Sequence, residues 1–139
     1  MCCIPHALED LIRTFFAIAI STFIPVHAFA SDMRPMSIDD MKAAIIGNSM
    51  SGETETGDGY TEHYTPDGRI VGLSKAAGKY EGTWSFRQDG LMCFRYGDGV
   101  FDGGCVRLSR DGDRIGLTRV DGSVEPTATL IEGMAPQLK

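Results

Sequence analysis

Few residues in this chain could run a reaction, and their spacing narrows the chemistry further. The sequence holds 4 Cys and 3 His in 139 residues. Cys2, Cys3, His6 and His27 fall in a leader segment, which leaves Cys93, Cys105 and His63 for the folded domain. Any Ser-His-Asp or Cys-His site would have to use His63, because a positioned base must activate the nucleophile. No Gly-x-Ser-x-Gly elbow accompanies it. His63 alternates with Thr61 and Thr65 on the strand face opposite Tyr60 and Tyr64, so it is expected to be a solvated strand residue. Glu62 and Glu81 could in principle act as a glycosidase pair, yet nothing in their spacing brings them together. No catalytic residue is assigned, and the chain reads as a non-enzyme.

The remaining ligand-type residues support neither redox chemistry nor a metal centre. Cys93 and Cys105 do not form a C-x-x-C motif, and two Cys with one His at unmatched spacing do not make a structural zinc site. Asp-Gly occurs at positions 58, 67, 89, 98, 102, 111 and 121. An EF-hand needs acids at alternate positions closing on a Glu, and a calcium β-helix needs a nine-residue period. The spacings here are 9, 22, 9, 4, 9 and 10, so the pairs read as tight hairpin turns of type I′. The stretch Asp98–Gly104 is the one segment dense enough to weigh as a weak cation site. No metal and no cofactor is assigned.

The aromatics are the most informative set. Tyr60, Tyr64, Tyr80, Trp84, Phe86, Phe94, Tyr96 and Phe101 all fall within residues 60–101. Inward aromatics fill the core of a small barrel. If one end of that barrel is open, some of them line a cavity for an apolar ligand. Tyr60, Tyr64, Tyr80, Trp84 and Phe101 are therefore the candidate surface for a ligand or a partner.

These residues need elements to position them. Thr14–Val26 is an uncharged apolar run of 13 residues preceded by Arg13 and followed by Ala28-Phe29-Ala30. That order predicts a secretory signal peptide over residues 1–30, cleaved near Ala30-Ser31. The run is shorter than the ~20 residues of a membrane span, so no stable span is expected after cleavage. Export makes the protein periplasmic or secreted. In an oxidising compartment Cys93 and Cys105 are expected to form a disulfide across a hairpin, the alternative being two buried free thiols.

Residues 31–139 then form one domain. Ser37 as N-cap, Asp40 three residues on, and the stripe Ile38, Met41, Ala44 and Ile45 predict a helix over 38–46. Period-two alternation predicts strands at 60–65, 69–74, 79–87, 91–96, 104–109, 114–120 and 123–131. Tyr80, Gly82, Trp84 and Phe86 should face inward, with Glu81, Thr83, Ser85 and Arg87 toward water. The fold class is mainly β: an antiparallel meander of about seven or eight strands, closed as a small barrel or sandwich, with one short N-terminal helix. The formal net charge of −6 argues against nucleic acid and anionic membranes as partners.

The order Gly47-Asn48 with Gly52, Tyr64-x-x-Asp67-Gly68, Gly82-x-Trp84, Leu91-x-Cys93 and Cys105 resembles a group of small exported bacterial proteins, common in alphaproteobacteria. The resemblance spans about residues 36–132 and departs at Leu91-Met92-Cys93, where the group has Leu directly before Cys. It implies a calycin-type β-barrel and a disulfide, and transfers no catalytic residue. Two functions follow as expectations. One is a binding or inhibitor module for a partner protein, presenting loops on a rigid scaffold. The other is a carrier of a small apolar ligand in the barrel interior.

Overall fold

The computed structural model describes residues 32–97 and 100–139. The expected signal peptide and cleavage site therefore lie outside the described residues, as do Asp98 and Gly99 of the candidate cation stretch.

The chain runs β1 (Arg34–Pro35), α1 (Ile38–Ile45), β2 (Ser49–Glu53), β3 (Gly59–Tyr64), β4 (Arg69–Ser74), β5 (Gly78–Phe86), β6 (Met92–Tyr96), β7 (Gly104–Asp111), β8 (Arg114–Arg119) and β9 (Ala128–Ile131), then a 3₁₀ turn, Pro136–Leu138. All strand pairings are antiparallel. The order β7-β6-β5-β4-β3-β2-β9-β8 closes where β8 pairs back onto β7, which gives an eight-stranded barrel with β1 added beside β7. Closure leaves those eight strands without an open edge.

The helix forms as its sequence dictates. Ser37 Oγ accepts from Asp40 N at 3.1 Å, and Asp40 Oδ2 accepts from Ser37 N at 3.2 Å, a reciprocal capping box. Met41, Ala44 and Ile45 are buried and join the core with Met50, Ile70, Met92, Leu108 and Ile115. The helix feeds β2 through Gly47, whose N–H donates to Tyr64 O at the end of β3. It therefore plugs the barrel end where β3 turns into β4.

The turns differ from the expected type. The β3–β4 connection runs Thr65-Pro66-Asp67-Gly68-Arg69, with Gly68 N donating to Thr65 O and Thr65 N to Arg69 O. Gly68, the one glycine of this turn, lies in the left-handed region at φ 83°. This is a type I turn followed by a left-handed glycine, the usual three-residue hairpin loop. The same hydrogen bonds recur at Arg87–Leu91 and Arg119–Ser123. Asp-Gly thus supplies the last two loop positions in these hairpins rather than a type I′ pair. At Asp58-Gly59 no turn forms; Gly57 makes it, and Gly59 opens β3.

One expected strand is much shorter. Only Ala128–Ile131 of the segment 123–131 joins the barrel. Pro126 has no N–H to give a ladder, and the residues before β9 touch β8 through an isolated Thr118–Val124 bridge. On β5 the period-two alternation holds. Tyr80 and Trp84 are buried, Gly82 and Phe86 half-buried, and Glu81, Thr83, Ser85 and Arg87 lie on the outer face. Cys93 and Cys105 stand directly opposite each other on β6 and β7. Their Cα atoms are 4.0 Å apart with the sulfurs at disulfide distance.

Trp84 is 8% exposed. It packs edge-on against Tyr64 and Phe86, with ring centroids 6.3 and 5.1 Å away, and its Nε1–H donates to Arg69 O at 3.1 Å. Trp84→Ala should lower unfolding stability by about 3–5 kcal/mol, read as the urea midpoint. An unchanged midpoint would contradict its place in the core.

Candidate functional site

Strand register puts Tyr60, Glu62 and Tyr64 of β3 on the inner face of the barrel. They pair across β4 with Ser74, Gly72 and Ile70, and Gly72 in turn pairs with Tyr80 of β5. Three inward tyrosines face inward glycines directly across a strand pair: Tyr60 opposite Gly52, Tyr80 opposite Gly72 and Tyr96 opposite Gly82. A Cβ on Gly72 would collide with the Tyr80 ring, and one on Gly82 would stand 2.8 Å from Tyr96 Cδ1. The absent side chains are what allow the rings to lie across the sheet, and they let the Tyr80 and Tyr96 hydroxyls reach one point.

That point is Glu62, which is 2% exposed. Tyr64 Oη donates to its Oε2 at 2.5 Å and Tyr80 Oη to its Oε1 at 2.8 Å. The Tyr96 hydroxyl adds to this stabilisation of the carboxylate. Burial nevertheless dominates and raises the Glu62 carboxyl above its ordinary value, against the pull of the three phenols. Tyr60, Tyr64, Tyr80 and Tyr96 are all pushed above the ordinary phenol value, by burial first and then by the neighbouring carboxylate. They remain neutral donors throughout the physiological range.

Beside Glu62 a cavity of about 210 Å³ opens at the barrel end opposite α1. Its walls include Tyr60, Phe94, Tyr96 and Phe101, with Val106 and Leu117 continuing toward the core. Phe101, from the β6–β7 loop, packs edge-on to Tyr80 and Tyr96 at 5.2 and 5.5 Å. Across the cavity, Arg119 Nε meets Glu125 Oε1 at 2.6 Å. Glu55 and Asp102 add two further carboxylates to the lining.

The sequence-derived candidates thus separate. Tyr60 and Phe101 line the cavity. Tyr64 and Tyr80 reach it only through Glu62, and Trp84 sits in the core on the α1 side. Glu62 and Glu81 are not brought together: Glu81 pairs with Val71, one position along from the inward Gly72, and projects outward. Sequence reasoning noted Glu62 only as a strand carboxylate. The signal that singles it out is its place between two tyrosines at i±2 on a strand rich in cross-strand glycine partners.

His63 corrects its expectation. It does lie on the outer face, yet it is 7% exposed. The chain after β9 crosses over it. Ser49 Oγ donates to Gly133 O at 2.7 Å and accepts from Ala135 N at 3.0 Å. With the Ser49 proton so committed, His63 Nδ1, 3.2 Å away, is the donor to that oxygen. Asn48 Oδ1 accepts from Gly133 N at 2.7 Å. Ser49 and His63 are therefore a clasp for the C-terminal segment, and among the described residues no acid hydrogen-bonds to the ring. Nothing in the local alternation at residues 60–65 announces that a distant tail will cover this face.

Among the described residues no group of three or more His, Cys, Asp or Glu is placed to hold a metal ion, and no helix is long and apolar enough to cross a membrane. No protein-family model, no curated protein and no solved structure matches the chain.

A carboxyl raised in the fold keeps its proton where the unfolded chain has lost it. Stability should therefore fall as pH rises from the ordinary glutamate value of 4.5 through the raised value. The exposed Asp40, Asp67 and Asp121 are held low by hydrogen bonds from Ser37, Thr65 and Ser123 and act in the opposite sense at acid pH. Arg119 and Glu125, across the cavity, are present in both proteins. The informative quantity is thus the difference between Glu62→Gln and wild type at each pH. Melting temperatures from about pH 4 to 8 should show the variant gaining on wild type as pH rises; a pH-independent difference would contradict the buried titration.

Proposed function

We propose that this protein is an exported, non-enzymatic barrel that binds a small ligand in the open end of its interior. The observation that carries this reading is the cavity itself: one barrel end is packed by α1, while the other holds about 210 Å³ walled by aromatic rings with a single buried carboxyl at its base. Concave, mostly apolar sites with a few convergent polar groups are the usual form of small-molecule pockets. The volume lies below the ~300–1,000 Å³ of drug-sized sites, so the fitting ligand is a small one. The resemblance to small exported calycin-type barrels agrees with this, as does the Cys93–Cys105 pair at disulfide distance.

The partner-protein reading rests on different residues from those first expected. Tyr64, Tyr80 and Trp84 are buried, whereas Val120 and Val124, on the loop after β8, are 70% and 72% exposed. Those two valines are the apolar surface that a docking partner would use.

Two measurements test the proposal. The protein recovered from the periplasm should have the intact mass of residues 31–139; a mass that includes Met1–Ala30 would refute the cleaved leader. In a small-molecule thermal-shift screen, a ligand at 100 times its Kd adds about 2.7 kcal/mol of stability, a shift of several degrees. Val106→Phe fills the cavity wall and should abolish that shift in a variant that still unfolds cooperatively. Hits that shift both proteins equally would place binding elsewhere.

A further inference from the structure

We infer that the cavity selects a small organic cation, an ammonium group seated against Glu62 and caged by the rings of Tyr60, Phe94, Tyr96 and Phe101. This rests on the small-ligand reading above and names its ligand class. Three independent features of the site converge on it.

The first is the sign of the lining. Four acidic side chains, Glu55, Glu62, Asp102 and Glu125, line the cavity against one guanidinium, Arg119, which leaves three acids beside one ion pair. That guanidinium is engaged by Glu125 at 2.6 Å, so it is poorly placed to serve as the counter-ion of an anionic ligand. The second is the nature of the walls. Aromatic faces carry negative electrostatic potential and attract cations within about 6 Å of the ring centre, most strongly where water is excluded. Tyr96 and Phe94 are stacked side by side, 11° from coplanar, so the wall they share is broad rather than a single ring.

The third is Glu62. Its oxygens receive the Tyr64 and Tyr80 hydroxyls, with Tyr96 beside them, which still leaves acceptor capacity unspent, since a carboxylate accepts about four hydrogen bonds. A buried carboxyl that borders a cavity is costly unless something compensates it. Three phenols compensate in part, and a cation in the cavity completes the pairing. A neutral apolar ligand would use the rings and leave the carboxyl no better satisfied. An anionic ligand would meet the like charge of the acidic lining.

The test uses three probes of one shape: choline, its neutral carbon isostere 3,3-dimethylbutan-1-ol, and the carboxylate 3,3-dimethylbutanoate. Each is titrated calorimetrically into the mature protein at pH 7, and the titrations are repeated on Glu62→Gln and on Phe101→Leu. Choline should bind at least about tenfold more tightly than the neutral alcohol, with the carboxylate weakest. Glu62→Gln should markedly reduce the preference for choline while leaving alcohol binding in place. Phe101→Leu keeps the carboxylate and an apolar wall but loses a ring, so it should weaken choline more than the alcohol. That variant keeps the question open to refutation if Glu62→Gln fails to fold. Equal binding of choline and alcohol to wild type, or preference for the carboxylate, would overturn the cation class while leaving a small-ligand pocket standing. No binding of any probe at millimolar concentration would overturn both.

Discussion

A carboxyl group held inside a β-barrel is the constraint from which much of this molecule follows. Removing Glu62 from water is expensive unless donors replace the lost hydration. Donors long enough to reach an inward carboxyl from neighbouring strands are tyrosines. A tyrosine ring can cross a sheet face only where the facing residue leaves room. Gly72 and Gly82 stand at those facing positions, opposite Tyr80 and Tyr96. Glycine in a strand interior weakens the strand, so each is a local concession that the hydrogen-bonded cluster makes sense of. The carboxyl, Tyr64, Tyr80, Tyr96 and the glycines facing the last two form one interdependent unit spread over four strands, β3 to β6.

The rest of the barrel divides around that unit. On the α1 side the interior is filled by aliphatic residues, and Met41, Ala44 and Ile45 close the end as a plug. Trp84 and Tyr64 sit at the boundary, their rings packed edge-on. On the other side the inward positions belong to glycine, tyrosine and charged residues, and space remains. The disulfide-distance pair Cys93–Cys105 ties β6 to β7 on the outer face, at the base of the loop that carries Phe101. A cross-link closing a loop of that size contributes roughly 3 kcal/mol in the chain-entropy picture. Here it also anchors both ends of a cavity-lining segment.

Legibility in the sequence followed the range of the interactions. The helix, its capping box and most of the strands were readable, because caps and period-two alternation are encoded within a few residues. The inward set on β5 was readable for the same reason. The turn type was misread because Asp-Gly is compatible with two loop geometries, and the choice depends on whether the strands close with two residues or three. The burial of His63 was invisible, since it depends on Gly133 and Ala135, some seventy residues away. Glu62 lay between the two cases. Its face was legible from Tyr60 and Tyr64, but its enclosure required Tyr80 and Tyr96, which reach it only once β3, β4, β5 and β6 are in register.

The features that local stability would not choose are concentrated at one end of the barrel. A buried acid, an unfilled volume and an excess of acidic side chains all border the same cavity, while the opposite end is filled by aliphatic side chains. Had these departures been scattered, each would read as an ordinary tolerance of a marginally stable fold. Natural chains break such rules where function requires it and compensate elsewhere. Here the compensation is visible: a capped helix plugs the far end, the sheet closes without a free edge among its eight strands, and a covalent tie spans β6 and β7. The dense core at the α1 end is what allows the other end to remain open, acidic and lined by rings.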